Sequence, residues 1–486
     1  MAPTHIFVLM LENRSFDHLL GYAGLTGVDA VTGKPTTIDG LTGEESNSYL
    51  GQPYGVTQPA PETMPIDPGH EFLDVLKQLC GETAVYPPGG PYPPIDNSGF
   101  VADYASSPSP DEGDAPDDYG AIMRCCAPGQ LPALTSLARN FAVCDHWQAS
   151  MPGPTLPNRL FACAASSGGL DHSPTNGELA QWQIDGFSFA QGTIFDRLGQ
   201  GGWRIFSGND LPLVSVLKGV NLLEVANVDG FAEAVADPGY AYRYTWIEPD
   251  YGEFWSTFAG GNSQHPLDGI TPGDALVKAT YEAIRRSPHW PTSLLIVTWD
   301  EHGGFYDHAA PPAAVPPGDT APGSAHNKYG FTFDRYGVRV PAIIVSPLIP
   351  ENTIDHRLYD HSSIPATIEK AFGLAPLTAR DEAANTVLPL LSLDKARDAP
   401  LTLPAVAAPR VALRVAPRRV PAPEGTVDQG NLPAFVHAAM RHDLTLSPPS
   451  EHAAIRARVR SIHTRAEAAQ YVTEVQQKIR AAKPRP

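Results

Sequence analysis

The chain has 486 residues, 42% of them hydrophobic, and a formal net charge of −19 at pH 7. This length and apolar content are sufficient for a large core in one to three domains. The acidic balance argues against nucleic acid as a partner, because duplex binding depends on lysine and arginine contacts to phosphate. No apolar stretch approaches the roughly 20 residues of a membrane-spanning helix, and no secretory signal is visible at the start of the chain. The five cysteines are odd in number and form no CxxC pair, so a zinc ribbon or a disulfide framework is not expected.

In chain order, the first predicted element is a strand at residues 5–11 (HIFVLML), whose near-continuous apolar character is typical of a central parallel strand. It ends at the polar residues Glu12 and Asn13. Residues 33–120 are rich in loops, with one helix predicted near residues 72–79. The next predicted elements are a helix at residues 131–140, a strand at residues 141–144 and a strand at residues 203–206.

The later part of the chain continues the alternation of helix and strand. Residues 272–286 are predicted as a helix, with proline and an acidic residue at its start and arginines at its end. A strand at residues 293–299 (SLLIVTW) follows and ends at Asp300 and Glu301. The remaining predicted elements are a strand at residues 340–345 and a helix at residues 362–372, which ends at Gly373. Strands that alternate with helices predict an α/β fold with a mainly parallel central sheet sandwiched by helices.

The end of the chain differs in composition, which suggests a main domain at residues 1–395 and a small C-terminal extension at residues 396–486. Residues 398–423 are rich in proline and free of glycine and are predicted as an ordered wrap or linker, and residues 450–482 as one or two helices. Residues 401–486 contain 13 Lys+Arg against 6 Asp+Glu, a balance of +7 that leaves −26 for the first 400 residues. Two interpretations of this basic tail stay open: it packs across the acidic body, or it makes a peripheral contact with an anionic membrane surface.

Carboxylates follow two of the predicted strands at the point where each strand ends. In open parallel sheets, ligands bind at the carboxyl ends of the strands, and Glu12 with Asn13 and Asp300 with Glu301 are placed there. Three carboxylates buried together would repel one another, and a divalent cation with oxygen ligands would remove that conflict. The alternative is that these residues are helix N-caps or solvated loop ends.

A threonine between two prolines is the candidate nucleophile. Thr155 lies between Pro154 and Pro157, and helix-like residues follow it, so it is predicted at a helix N-terminus, where unpaired N–H groups favour an anion. A threonine hydroxyl becomes a nucleophile only when a base or a metal lowers its pKa. A threonine between prolines is also a common helix cap, and that alternative stays open.

Two loop histidines are further candidates. His70 in DPGHEF and His265 in NSQHP could each stabilise a phosphoryl oxygen or protonate a leaving group. Each could equally be an ordinary loop histidine. His302, His308 and His361 are expected to have supporting roles.

Six longer segments of the sequence are shared with a known family. They are HIFVLMLENRSFDHLLGY, DPGHEF, CDHWQASMPGPTLPNRLF, TWDEHGGFYDHAAPP, RVPAIIVSP and DHSSIPATIEKAFGL. In these segments the chain resembles the bacterial phosphoesterase family of phospholipases C and AcpA-type acid phosphatases, in family order and over most of residues 5–375. The family looks like a branch of the alkaline-phosphatase superfamily. The resemblance therefore implies an alkaline-phosphatase-like sheet with metal at the strand ends.

The resemblance also implies roles for individual positions. The metal-binding positions of the family fall on Glu12, Asn13, Thr155, Asp300 and Glu301. They imply one divalent metal ion rather than two, with Ca²⁺ and Zn²⁺ as the leading candidates. Thr155 matches the nucleophile, which would attack phosphorus in line and form a phosphothreonine that water then hydrolyses. His70 and His265 match positions that contact the phosphoryl group.

The same resemblance bears on the substrate. Acid phosphatases of the family have serine where this chain has Thr155, which favours a phospholipase C acting on the phosphodiester of phosphatidylcholine-like lipids. Because aromatic rings bind choline, Tyr251 and Trp255 are assigned to substrate contacts, although these rings could also be ordinary packing. Asn158 and His302 are assigned to substrate contacts as well. The alternatives are a broad-specificity acid phosphatase and, more remotely, a phosphate-binding or headgroup-binding protein without turnover. The family implies a secreted or periplasmic location.

Overall fold

The computed structural model describes residues 2–106, 116–182, 186–220, 224–254, 258–319, 325–407 and 424–482. Its strands, in chain order, are β1 (His5–Leu11), β2 (Thr26–Asp29), β3 (Pro35–Thr37), β4 (Ser46–Tyr49), β5 (Gln52–Gly55), β6 (Ala142–Cys144), β7 (Trp147–Gln148), β8 (Trp203–Ser207), β9 (Val225–Asn227), β10 (Tyr244–Glu248), β11 (Ser293–Trp299), β12 (Ala342–Val345), β13 (Thr353–Asp355) and β14 (Tyr359–Asp360). Its α-helices are α1 (Phe16–Leu20), α2 (Phe72–Cys80), α3 (Phe100–Ser106), α4 (Pro132–Asn140), α5 (Thr155–Ala164), α6 (Asn176–Trp182), α7 (Ile194–Leu198), α8 (Phe231–Ala236), α9 (Ile270–Arg286), α10 (Ser363–Phe372), α11 (Ala379–Ala383), α12 (Leu432–Leu446), α13 (His452–Arg460) and α14 (Arg465–Ala482).

Ten of these strands form one sheet, in the order β3-β2-β13-β6-β12-β11-β1-β10-β8-β9. Neighbouring strands pair in parallel, except that β12 is antiparallel to β6 and β11 and the edge strand β3 is antiparallel to β2. Helices pack on this sheet, so the predicted α/β fold with a mainly parallel sheet is confirmed.

The central pair of strands, β1 and β11, explains why the sheet must be covered. Every residue of β11 is buried, and so is every residue of β1 except His5. A strand that is apolar on both faces is stable only where both faces are covered, and α9 packs against both strands as well as against α4 and α8. Both strands have the predicted bounds.

The other predicted elements match the structure with small differences at their ends. The predicted helices correspond to α2, α4, α9 and α10, and α9 begins two residues before the predicted start because Pro272 is tolerated in a first helical turn. The strand predicted at residues 340–345 is shorter. It begins only at Ala342, since Pro341 has no N–H to give to the ladder.

The C-terminal segment packs on the body of the protein. Nearly all of α12 is buried, and the Phe435 ring stacks on Phe254 at 3.9 Å between centroids. Asn176 of α6 donates a hydrogen bond of 3.0 Å to the carbonyl of Val459 in α13. Helices α13 and α14 match the prediction for residues 450–482, whereas α12 was not predicted. The boundary at residues 395/396 stays a prediction.

The described part of the predicted wrap runs along α9. Tyr281 and Arg285 on that helix donate to the carbonyl oxygens of Pro400 and Ala399. Residues 408–423 of the wrap lie outside the described residues.

Two predictions about the chain as a whole can be compared with the structure. Among the described residues, no helix is both long and apolar enough to cross a lipid bilayer. All five cysteines are free thiols, and four of them are buried. A disulfide framework is therefore no part of this fold.

Candidate active site

Four polar side chains meet at the carboxyl ends of β1 and β11. Because the two strands pair in parallel without offset, the residues that follow them, Glu12 with Asn13 and Asp300 with Glu301, lie side by side. The backbone N–H of Asn13 donates to Asp300 Oδ1 at 3.0 Å, and all four side chains are buried. The four ligand positions predicted at the strand ends therefore share one site.

The turn after β11 is shaped by a glycine that touches the end of β1. Gly303 has φ +63°, and its N–H donates to Glu301 Oε2 at 2.7 Å. A Cβ at this position would lie 2.2 Å from the carbonyl oxygen of Asn13. Asn13 itself has φ +59°, a conformation that asparagine adopts more readily than most residues. Only a glycine lets the two strand ends approach this closely.

Thr155 reaches this group of side chains from α5, whose first residue it is. Its Oγ1 donates a hydrogen bond of 3.1 Å to Asn13 Oδ1, and the side chain is fully buried. Pro154 precedes the helix in an extended conformation, and the first-turn N–H groups around Thr155 are the kind that bind anionic oxygens. The hydroxyl, the strand-end carboxylates and a helix N-terminus are thus adjacent.

Arg159 is a member of the site that the sequence reasoning missed. It lies one helical turn after Thr155, and its Nε donates to Asp300 Oδ2 at 2.8 Å while Nη2 donates to the carbonyl of Leu11 at 3.1 Å. Both members of this ion pair are buried. The i, i+4 spacing on one helix face was the available signal. Such a buried cation offsets part of the charge of the carboxylates.

The charge of the carboxylates is only partly compensated. Burial raises the pKa of Glu12 well above its usual range, opposed by Arg159 and reinforced by Asp300. Burial also raises the pKa of Asp300 to about 6, although Arg159 opposes the shift. Oε1 of Glu301 and both carboxylate oxygens of Glu12 are buried and meet no donor at hydrogen-bond geometry among the described residues, although the nearby Ser263 hydroxyl lowers the pKa of Glu12 slightly. Groups buried in this way are costly unless a cation or a donor meets them.

These oxygens have the chemistry of metal ligands, although among the described residues Glu12, Asp300 and Glu301 do not form a group whose ligand atoms all lie within 4.8 Å of one another. A carboxylate offers about four acceptor positions, and Asp300 uses three of them on Asn13, Glu301 and Arg159. One acceptor position on Asp300 Oδ2 remains, together with the free oxygens of Glu12 and Glu301. An all-oxygen set of this kind suits a hard divalent cation.

The two predicted histidines, His70 and His265, lie together. Their ring centroids are 6.3 Å apart, and the His265 ring stacks on Phe258 at 3.6 Å. Burial lowers the pKa of His70, but the carboxylates of Glu301 and Asp67, with smaller contributions from others, outweigh it and raise the pKa to about 10. Burial and the charge of His70 lower the pKa of His265 well below its usual range. The first ring is therefore cationic and the second neutral at neutral pH.

Both histidines line a cavity of about 360 Å³. Its aromatic wall consists of Phe254, Phe258, Tyr329 and Phe435. Its carboxylates are Asp67, Glu71, Asp74 and Asp428. Part of the wall comes from the C-terminal segment, which the sequence did not predict. Thr155 is not part of the lining, and the strand-end residue Glu301 acts on the lining residue His70 through its charge.

Three of the four residues assigned to substrate contacts are engaged in contacts within the protein. Asn158 donates to the carbonyls of the loop before α5 and accepts from Met151 N. His302 is buried between Gln78 and Glu301. Tyr251 is fully buried, and its hydroxyl donates to Glu248. None of these three lines the described cavity, and Trp255 lies outside the described residues.

A model of the Phosphoesterase family matches residues 4–375. Non-specific phospholipase C3 of Arabidopsis thaliana is 34% identical over 423 residues, which cover 82% of this chain and 75% of that protein. Non-specific phospholipase C6 of the same plant is 37% identical over 425 residues, with 83% and 75% covered.

Among solved structures, a protein in the alkaline phosphatase superfamily from Vibrio parahaemolyticus is similar with a TM-score of 0.31 and 14% sequence identity. The match covers 54% of this chain and 65% of that chain.

Proposed function

Because the chain belongs to the Phosphoesterase family, we propose that it is a phosphoric ester hydrolase of phospholipase C type. It would cleave a phospholipid between the glycerol oxygen and phosphorus. The observation that carries this proposal is the hydrogen bond of 3.1 Å from the Thr155 hydroxyl to Asn13, beside buried carboxylates that lack partners. The similarity to non-specific phospholipases C favours a phosphodiester over a phosphomonoester as substrate.

A single divalent ion would be held at the strand ends. The residues that would hold it are Glu12, Asn13, Thr155, Asp300 and Glu301. Their donors are all oxygen atoms, which favours Ca²⁺, with Zn²⁺ as the second candidate. When bound, the ion would supply a positive charge that lowers the pKa of a nearby hydroxyl and neutralises charge on the phosphoryl oxygens.

Thr155 would carry the covalent step. Its Oγ1 gives up its proton and forms the bond to phosphorus as the bond from phosphorus to the glycerol oxygen breaks, and the glycerol oxygen takes up one proton, so the first product is a free hydroxyl. Asn13 orients the hydroxyl through the hydrogen bond to its amide oxygen. Water then attacks phosphorus, the bond from phosphorus to Oγ1 breaks, one proton of the water passes to Oγ1, and the headgroup leaves as a phosphomonoester. The N-terminus of α5 favours the anionic oxygens in both steps.

The two histidines would have different tasks because their charges differ. His70, with its pKa raised to about 10, is a cation at neutral pH and would stabilise the phosphoryl oxygens. Its Nδ1 lies 2.9 Å from the carbonyl of Pro68, which leaves Nε2 for a ligand in the cavity. His265 is neutral, because burial lowers its pKa, and would hold or transfer a proton near the leaving group.

The cavity would bind the headgroup. Rings of Phe254, Phe258, Tyr329 and Phe435 face a space that also contains carboxylates. Aromatic faces with nearby negative charge are the usual binding site for a quaternary ammonium group. A choline headgroup therefore fits the chemistry of this wall, and Phe435 takes the part that was assigned to Tyr251 from the sequence.

Replacing the nucleophile tests the reaction. Thr155→Ala should lower kcat on p-nitrophenylphosphorylcholine by at least about 10³-fold, since removal of a nucleophile costs that much or more in comparable enzymes. Thr245→Ala is the matched control, because it also removes a buried threonine hydroxyl, here one bonded to Tyr240. Turnover by Thr155→Ala at the level of the control would remove the nucleophile assignment.

A comparison of substrates tests the reaction class. The intact protein should hydrolyse p-nitrophenylphosphorylcholine with a higher kcat/KM than p-nitrophenyl phosphate. A strong preference for the phosphomonoester would replace the phospholipase C proposal by that of a broad-specificity phosphatase.

A further inference from the structure

A second group of metal-ligating side chains lies at the same edge of the sheet, away from Thr155. Asp145 and His146 follow β6, and His356 follows β13. These two strands pair in parallel, with Asp355 opposite Cys144, so the residues after them emerge next to each other. The ligand atoms of the three side chains all lie within 4.8 Å of one another. None of them belongs to the residues proposed to hold the ion beside Thr155.

The spacing of the atoms suits four-coordinate binding. His356 Nδ1 lies 2.8 Å from Asp145 Oδ2, and His146 Nε2 lies 4.0 Å from Asp145 Oδ1. Asp39 Oδ2 lies 3.8 Å from His146 Nε2 and would be a fourth ligand only by giving up its bond of 3.3 Å from Arg339 Nη1. A tetrahedral ion with bonds of about 2.1 Å separates its ligands by about 3.4 Å. The observed separations bracket that value, so small side-chain rotations would close the group around an ion.

The surroundings hold two of the ligands in place. His356 Nε2 lies 2.9 Å from Thr36 Oγ1, so Nδ1 faces the cluster, where it shares a hydrogen bond of 2.8 Å with Asp145 Oδ2 that an ion would replace. Asp145 is fully buried, and its Oδ2 accepts from the backbone N–H of Asp39 at 2.8 Å. Hydrogen bonds of this kind to the remaining atoms of metal ligands orient them and are typical of built metal sites.

The cluster is both charged and open to solvent. The side chains of His146, His356 and Asp39 are 33%, 31% and 41% exposed, so an ion can enter. Carboxylates outnumber cations in this region of the fold: the carboxylates are Asp17, Asp29, Asp39, Asp145, Asp307 and Asp355, and the cations are Arg339, Arg357 and His308. A bound divalent cation would balance the excess negative charge.

A neighbouring group with similar composition does not qualify. Asp17, Asp307 and His308 also lie close together, but Arg339 donates from Nε to Asp307 at 2.8 Å and from Nη2 to Asp17 at 3.0 Å. A guanidinium already occupies the position of a cation there. Arg339 reaches the cluster around His146 only at Asp39, whose Oδ2 accepts from Nη1 at 3.3 Å; among the described residues no guanidinium bonds the side chains of Asp145, His146 or His356.

We propose that Asp145, His146 and His356, with Asp39, form a second divalent-metal site, separate from the one beside Thr155. Two imidazole nitrogens with carboxylate oxygens select a borderline transition metal such as Zn²⁺. The ion would tie the loop after β3, which carries Asp39, to the ends of β6 and β13. Its effect would be a stabilisation of this side of the sheet, independent of the reaction at Thr155.

The test counts metal ions on the intact chain. Protein stripped with a chelator is titrated with Co²⁺, and bound ions are counted by elemental analysis while the visible absorption of Co²⁺ bound to nitrogen is recorded. The variant Glu12→Gln/Glu301→Gln, which disables the site beside Thr155, should still bind one Co²⁺ with that absorption. The variant His146→Ala/His356→Ala should lose one equivalent and the absorption, and Zn²⁺ should raise its Tm less than that of the wild type.

His463→Ala is the matched control, because His463 is exposed and belongs to no metal-ligating group described in the structure. Equal numbers of bound ions in His146→Ala/His356→Ala and in this control would overturn the proposal. If the double variant does not fold, Glu12→Gln/Glu301→Gln decides alone: no bound Co²⁺ in that protein overturns the proposal. If the wild type binds one ion and His146→Ala/His356→Ala binds none, the result supports this site and counts against an ion beside Thr155.

Discussion

Replacing Arg339 by alanine removes a cation that stabilises the residues at the carboxyl ends of the parallel strands. The guanidinium is fully buried and donates to Asp307, Asp17 and Asp39, and to the carbonyls of Asp39 and Asp145. Its charge also lies over the Phe16 ring at 4.7 Å. The carboxylates of Asp307 and Asp17 outweigh burial and raise the pKa of Arg339, so the group is charged at every accessible pH.

The expected loss of stability follows from the buried carboxylates that would remain without their cation. Asp17 and Asp307 are themselves fully buried, and removal of one partner of a buried ion pair costs about 3–5 kcal/mol. Arg339→Lys should recover only part of this, because one ammonium group cannot reproduce the forked contacts of a guanidinium. Arg124→Ala is the control: its partner Asp118 and Arg124 itself are 47% and 45% exposed, and such surface pairs contribute about 0–1 kcal/mol.

Urea unfolding and scanning calorimetry measure the stability of Arg339→Ala, Arg339→Lys and Arg124→Ala. The loss of stability in Arg339→Ala should increase with pH. Burial already raises the pKa of Asp307 to about 6 against the opposing charge of Arg339, and without that charge the pKa rises further. The folded state then holds a proton that the unfolded state releases, so stability falls as pH rises above the unfolded value near 4. A loss as small as that of Arg124→Ala, or one that does not depend on pH, would refute this reasoning.

Glu369→Gln should make Tm depend less on pH. Burial, and then the charge of Asp381, raise the pKa of Glu369 to about 9, so the stability of the wild type declines between about pH 4.5 and pH 9. Calorimetry across that range should show a smaller decline in the variant. Asp274→Ala should cost about 1–2 kcal/mol in urea unfolding, because Asp274 accepts from the N–H groups of Ala133 and Leu134 in the first turn of α4; no loss would contradict this capping role. A chelator should lower Tm more at pH 8 than at pH 5. Burial raises the pKa values of Glu12 and Asp300, so at pH 8 these carboxylates are charged and, without the ion, their charges are not compensated. Glu12→Gln should reduce the difference between the two pH values.

The central strands and the candidate site at their ends could be predicted because the signals are local. A run of seven apolar residues needs cover on both faces, and it ends where the polar residues begin, so β1 and β11 were predicted with their observed bounds. The resemblance then directed attention to Thr155, Glu12, Asn13, Asp300 and Glu301. The structure brings these residues together, although their roles stay proposals.

Features that depend on distant parts of the chain could not be predicted in this way. The order of the strands, and the antiparallel direction of β12 among them, depends on which connections cross the sheet, and no local pattern encodes this. Phe435 lines the cavity only because α12 packs against Phe254, far away in sequence. Tyr251 was assigned to substrate for its ring alone, but its side chain is buried against Arg159, a contact of 5.7 Å that composition cannot reveal.

The direction of β12 has a consequence for the supply of positive charge. Among the described strands inside the sheet, only β12 has its N-terminal end where the other strands have their carboxyl ends. The residues that precede β12, Arg339 included, therefore lie beside residues that follow β1 and β11. If the four residues of β12 ran in the opposite direction, Arg339 would lie at the other end of this strand, about 13 Å away. Transplanting this rim onto a scaffold with uniform strand direction would therefore require a new source for the counter-ion.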